Sequence, residues 1–363
     1  MNVLKADVHP RATDHIKEIL VFISELMDKG YAYKTPTGIY FEISKFQEYG
    51  KLSGRTISEL KPGARIDVDI TKNSPLDFAL WKFVEEGPSW DSPWGKGRPG
   101  WHIECSVMSM KYLGESFEIH GGGQDLVFPH HENEIAQSEA KTGKRFASIW
   151  MHVGLLNISE NKMSKSIGNI IPVHEALNRW GTNVVRFYSV SSRYRSPMNY
   201  SEKAMSNASE NWNLIDSALL EIQSASRYDE SIVEETKRLV EEEFRTLEEA
   251  LDEDFNTPIA LGALMRVVKF INRTGSTGHL SRQAVEIIKN PFMKALWIFG
   301  FRIQEISEEE RAGIDKLVSI RGKLRKEGKF KEADEVRERL KGEGIELIDN
   351  PDRTLWRKSL KKL

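Results

Sequence analysis

Between residues 11 and 30, apolar side chains return every three or four positions: Ile16, Ile19, Leu20, Ile23, Leu26 and Met27. That spacing puts them on one helical face, and Gly30 supplies a stop. The run GIYFEI at 38–43 alternates instead and, with Gly and Pro around it, predicts strands and turns. From Pro75 to Gly100 the chain is rich in Trp, Pro and Gly (GPSWDSPWGKGRPG). It is too apolar for a linker and too broken for a helix, so an ordered loop packed near a site is expected. Residues 101–160 set apolar runs between glycine turns: SFEIHGGGQDLVF, then a helical HHENEIAQSEAKTG, then SIWMHVGLL. Strand, loop, helix, strand is the order of an α/β unit. From Ser201 helical periodicity dominates to about Gly300, with Pro258 and Pro291 the only prolines in that stretch.

At 363 residues the chain has room for two to four domains. With 39% hydrophobic and 29% charged residues it can bury a core and solvate its surface, which excludes a fully disordered chain. The formal net charge of −2 excludes a globally basic nucleic-acid coat but hides an asymmetry. Residues 229–254 hold twelve acids against three bases, whereas 311–363 hold sixteen bases against ten acids. Cys105 is the one cysteine, so no intrachain disulfide can form. No apolar run approaches the roughly 20 residues of a membrane helix, and MNVLKADVHPRATDH has no apolar signal core. The expected compartment is the cytoplasm.

Four constellations carry chemistry. Trp101-His-Ile-Glu-Cys105 is followed by Pro129-His130-His131-Glu132-Asn133-Glu134. On a helix over 130–140, His130 and Glu134 lie one turn apart on one face. A thiolate, an imidazole and a carboxylate are an acceptable zinc set with one coordination position open. A packed cysteine beside a solvated helix face explains the same residues. His120-Gly-Gly-Gly123-Gln-Asp125 lets a backbone approach a ligand closely and places an acid where it could accept from ribose hydroxyls; a plain strand-to-helix turn is as good an account. Lys162-Met-Ser-Lys165-Ser166 makes a compact clamp for polyphosphate oxygens, or an ordinary exposed loop. In Leu251-Asp-Glu-Asp-Phe-Asn-Thr-Pro258, Thr257 is expected to cap a helix with Pro258 at its first position.

The pentapeptide KMSKS matches the second signature of class I aminoacyl-tRNA synthetases. Together with GRPGWHIECS, EIHGGGQDLVFPHHENEIAQSEA, YRSPMNYSE, DEDFNTP and the closing TLWRK, the chain resembles the cysteinyl-tRNA synthetase family over essentially its whole length. That resemblance implies roles. Cys105, His130 and Glu134 match three of the family's four zinc ligands, one zinc per chain, which there binds the substrate thiolate. Trp101 matches an aromatic beside the amino-acid pocket. Gly122, Gly123 and Asp125 match the nucleotide loop, His152 and Val153 the strand lining the adenine site, and Lys165, with Lys162, the mobile loop contacting ATP phosphates. L-cysteine, ATP with Mg²⁺ and tRNA(Cys) are the implied partners of a monomer without membrane contact. Arg321, Lys323, Arg325 and Lys326 are the tRNA contacts it suggests.

The implied fold class is α/β followed by all-α. A partial class I Rossmann-type catalytic domain with an insertion domain leads into a helical-bundle anticodon-binding domain and a small basic C-terminal domain. The expected divisions are 1–96 (remainder of the insertion), 97–160 (second Rossmann half), 161–205 (KMSKS loop and stem contact), 206–304 (bundle) and 305–363 (basic domain). The family begins with a Rossmann half carrying the fourth ligand, a cysteine, and a HIGH-type signature, and this sequence contains neither. His152-Val-Gly-Leu155 resembles that signature but belongs to the adenine strand. The expectation is therefore a chain shortened by on the order of 100 residues and inactive alone. Two rivals stand: a cysteine:amino-sugar ligase, which would lack a long RNA-binding C-terminus, and a non-catalytic tRNA-binding fragment or paralogue.

Overall fold

The computed structural model describes residues 1–56, 69–158, 161–162, 171–225, 227–303, 306–349 and 354–358. The chain divides into two compact units, Lys5–Leu155 and Met1–Leu4 with Leu156–Leu363.

In the Lys5–Leu155 unit, α1 (Ile16–Asp28) buries Ile19, Phe22, Ile23 and Leu26, and Ile16, Leu20 and Met27 pack at the margin of the same core. The helix ends where Gly30 turns to φ +78°. An antiparallel sheet follows in the order β1 (Ala32–Thr35), β2 (Gly38–Phe41), β3 (Phe78–Phe83) and β4 (Gly97–Pro99). All four residues of β2 are buried, so the alternation expected at 38–43 gives way to burial on both faces. The Trp-rich stretch expected to be a loop contains β3 and β4. Trp81 of β3 is fully buried and holds the strand in the core with Leu80.

Next come α2 (Trp101–Leu113), β5 (Phe117–Gly123), α3 (Glu132–Thr142) and β6 (Ala147–Val153). β5 and β6 pair in parallel, with Gly122 opposite His152 and Gly123 opposite Val153. This is the expected α/β unit, with a crossover helix between parallel strands.

In the second unit, β7 (Leu156–Ile158) pairs with β8 (Asn161–Lys162) and, in parallel, with β9 (Met198–Tyr200). Between them lie α4 (Val173–Trp180) and α5 (Thr182–Val190). The bundle is built from α6 (Glu202–Ser224), α7 (Val233–Asp252), α8 (Thr257–Ser276) and α9 (Arg282–Ile298), around Met205, Ile215, Leu247, Leu264, Ile271 and Phe292. Ser201 caps α6 by accepting from the Ala204 amide. The cap expected from Thr257 is corrected: Asn256 holds the N-cap position, and the Thr257 hydroxyl donates to the Ser192 carbonyl at 3.3 Å. Finally α10 (Glu308–Lys326), α11 (Phe330–Gly342) and the hairpin β10 (Ile345–Asp349) and β11 (Thr354–Lys358) enclose their own core of Ile314, Leu340, Ile345, Leu347 and Trp356. Among the described residues no helix is long and apolar enough to cross a membrane.

Candidate active site around Glu134

The site begins with a glycine. Gly100 donates its amide to the Leu80 carbonyl at 2.8 Å, and a Cβ there would sit 1.8 Å from the Ala79 carbonyl oxygen. This close approach fixes the start of α2 against β3. Ile103, Ser106 and Val107 then face inward, while Trp101 stays exposed and Cys105, one turn on, is half-buried.

Opposite lies α3, whose first two turns bury an unusual run of polar side chains: Glu132, Asn133, Glu134, Gln137 and Ser138. Buried polar groups are costly unless hydrogen-bonded. Glu132 accepts from the amides of Gly50 at 2.9 Å and Ser53 at 2.8 Å. Asn133 accepts from the Tyr49 hydroxyl at 2.6 Å. Gln137 donates to Ser106 at 2.6 Å and to the His102 carbonyl at 2.7 Å. Glu134 differs: its side chain is 0% exposed and neither carboxylate oxygen has a hydrogen-bond partner. Three imidazoles surround it instead. The Nε2 atoms of His120, His130 and His131 lie 3.2, 3.8 and 3.9 Å from Oε2, none in hydrogen-bonding geometry.

The Cys105 sulfur, a His130 nitrogen and a Glu134 oxygen all lie within 4.8 Å of one another, and so do donor atoms of His120, His131 and Glu134. Burial, with the charges of Glu134 and Glu104 adding, pushes the Cys105 thiol up to about 12. Burial lowers His130, and with the neighbouring imidazoles it lowers His131 to about 3, so both rings offer lone pairs rather than charge near neutral pH. A buried carboxylate without hydrogen-bond partners, neutral imidazoles and a thiol fit a divalent cation, and zinc accepts this sulfur–nitrogen–oxygen set. The sequence-predicted trio is thus brought together.

The predicted nucleotide residues adjoin it. A Cβ at Gly122 would lie 2.7 Å from Cε1 and 2.9 Å from Nε2 of His131, so only glycine leaves room for that ring. His131 Nδ1 lies 2.8 Å from His152 Nε2. Trp101 stacks on His130 with centroids 4.3 Å apart. Sequence reasoning assigned no role to His102, His120 as a neighbour of Glu134, or His131. The available signal was that five of the nine histidines fall between 102 and 152. Lys165 and the side chain of Lys162 lie outside the described residues.

At the C-terminal end the expectation for Arg321 is corrected. Its side chain is 3% exposed and donates to both oxygens of Asp349, at 2.7 and 2.8 Å, so it holds α10 to β10 rather than facing a ligand. Arg325, exposed, reaches the same carboxylate at 3.1 Å, and Lys323 and Lys326 face solvent. The Arg321 guanidinium holds the Asp349 carboxyl well below the usual range.

A family model described as tRNA synthetases class I (C) catalytic domain matches residues 1–210, and one described as DALR domain matches 246–304. The cysteine–tRNA ligase of Carboxydothermus hydrogenoformans is 43% identical over 363 residues, 99% of this chain and 78% of that protein. The cysteine–tRNA ligase of Thermococcus onnurineus is 44% identical over 374 residues, again 99% and 78%. That of Geobacillus sp. is 43% identical over 360 residues, 98% and 77%.

Proposed function

The chain belongs to the cysteine–tRNA ligase family of class I synthetases, and from that premise we propose how its residues serve the reaction. Cysteine is activated by ATP, accompanied by Mg²⁺, to cysteinyl-adenylate, and the cysteinyl group then passes to tRNA(Cys). The match to a DALR domain after a long helical stretch weighs against the amino-sugar rival.

Cys105, His130 and Glu134 would hold one zinc ion. When bound it would supply a thiophilic Lewis acid that rewards a substrate thiolate over a serine hydroxyl. The rest falls to the chain. Trp101 closes the amino-acid side of the site over His130. Gly122 and Gly123 admit the nucleotide against the backbone, Asp125 accepts from its ribose, and His152 and Val153 line its base. Lys162 and Lys165 provide point charges for the departing pyrophosphate. No side-chain nucleophile is needed, because the work is positioning and charge stabilisation.

Exposed Lys323, Arg325 and Lys326 contact tRNA phosphates. The divisions 1–96, 97–160, 161–205, 206–304 and 305–363 are the functional domains, and the chain is a cytoplasmic monomer that shows little cysteine activation by itself.

The observation that carries this assignment is the Glu134 carboxylate, fully buried, unbonded at both oxygens and flanked by a thiol and imidazoles. Glu134→Gln keeps its shape and removes its charge. Zinc content and the preference for cysteine over serine in binding should both fall at least about tenfold. Unchanged zinc and unchanged preference would sink the assignment.

A further inference from the structure

His102 sits on α2 between Trp101 and Cys105 and plays no part in the reaction described so far. Its Nδ1 lies 2.8 Å from Nδ1 of His130. Two nitrogens at that distance share one hydrogen, so one ring donates and the other accepts. The His102 ring is held by an edge contact with Phe78 at 5.5 Å and by Trp101 stacked at 5.5 Å, and the Gln137 bond to its carbonyl anchors the backbone beneath it. The neighbouring histidine repeats the pattern: His131 Nδ1 meets His152 at 2.8 Å. In both cases Nδ1 is engaged by another imidazole, while Nε2 faces Glu134, at 3.8 Å from His130 and 3.9 Å from His131.

We propose that His102 is a positioning residue that sets the tautomer of His130. It accepts the His130 Nδ1–H and so leaves the Nε2 lone pair directed at the space between Cys105 and Glu134. The proposal rests on the metal assignment above, and its physical content is directional. A neutral imidazole carries one hydrogen, and the partner at one nitrogen decides which nitrogen is bare. With a cation beside Glu134, the bare nitrogen must be Nε2, and His102 must be the acceptor. Without the cation, the Glu134 carboxylate favours a hydrogen on Nε2, and the shared hydrogen then belongs to His102. A histidine serves both states because its Nδ1 can either donate or accept. Phenylalanine would fill the same space and do neither.

Nitrogen-15 NMR of the histidine-labelled 363-residue chain reads this directly. In the zinc-loaded protein His130 should carry its hydrogen on Nδ1. His102→Phe should weaken zinc binding about ten- to hundredfold in chelator competition, whereas His102→Asn, whose amide oxygen can accept at the same place, should stay within about threefold of wild type. A loaded His130 with its hydrogen on Nε2, or equal affinities for the two variants, would overturn the role. If wild type takes up no zinc, the metal assignment itself fails. The pairing is then read in the wild-type metal-free chain: a nitrogen–nitrogen coupling across the shared hydrogen must link His102 Nδ1 to His130 Nδ1, and its absence would overturn the pairing.

Discussion

Arg321→Ala separates a structural arginine from an RNA-binding one. The side chain is 3% exposed, and two of its nitrogens bond both oxygens of Asp349 at 2.7 and 2.8 Å. Removing one member of a fully buried pair costs about 3–5 kcal/mol. Two features reduce that figure here. Asp349 is 30% exposed, and Arg325 at 3.1 Å and Arg337 at 3.7 Å remain beside it. A loss of about 2–3 kcal/mol is therefore expected, confined to α10, α11 and the β10–β11 hairpin. Hydrogen exchange at pH 7, read peptide by peptide over 306–358, measures it. The pH sign is fixed by the depressed carboxyl of Asp349. Its contribution is present above the unfolded carboxylate value of about 3.9 and is lost as pH falls through the lower folded value. Protection that changes by under about 0.5 kcal/mol while tRNA affinity drops would refute the structural role.

Lys323→Ala with Lys326→Ala should leave stability within about 0.5 kcal/mol and flatten the salt dependence of tRNA binding by roughly 0.7–0.9 in log–log slope per lost contact; an unchanged slope places the RNA surface elsewhere. Gly122→Ala drives a Cβ to within 2.7 Å of the His131 ring. It should weaken ATP binding more than tenfold, measured by calorimetry, with circular dichroism unchanged; wild-type affinity would remove the glycine from the nucleotide site.

Where one physical rule governed an element, the sequence showed it. The three-and-four spacing of Ile19, Ile23 and Leu26 shows α1, glycine-bounded apolar runs show β5 and β6, and the polar stretch HHENEIAQSEAKTG between them shows α3. The helix α2 was hidden because its inward face mixes Ile103 and Val107 with Ser106, while Cys105 and His102 serve the site. Strand β4 was hidden because it is three residues long and its pairing with β3 depends on a bare backbone at Gly97, where a Cβ would lie 2.3 Å from the Lys82 carbonyl oxygen. Cys105, His130 and Glu134 were legible as chemical types, but the surrounding His120 and His131 were not, since only the parallel pairing of β5 with β6 and the course of α3 bring them to one carboxylate. Arg321 read as one base in a basic run because its partner Asp349 lies 28 residues away.

Cobalt(II) substitution tests the central claim most directly, because sulfur coordination to cobalt gives a near-ultraviolet charge-transfer band that nitrogen and oxygen ligands do not. Wild-type chain titrated with cobalt should show that band, and added L-cysteine should strengthen it as a second thiolate joins. Cys105→Ser should abolish the band of the chain alone. A wild-type spectrum without the band, or one that Cys105→Ser leaves unchanged, would contradict a metal held by Cys105, His130 and Glu134.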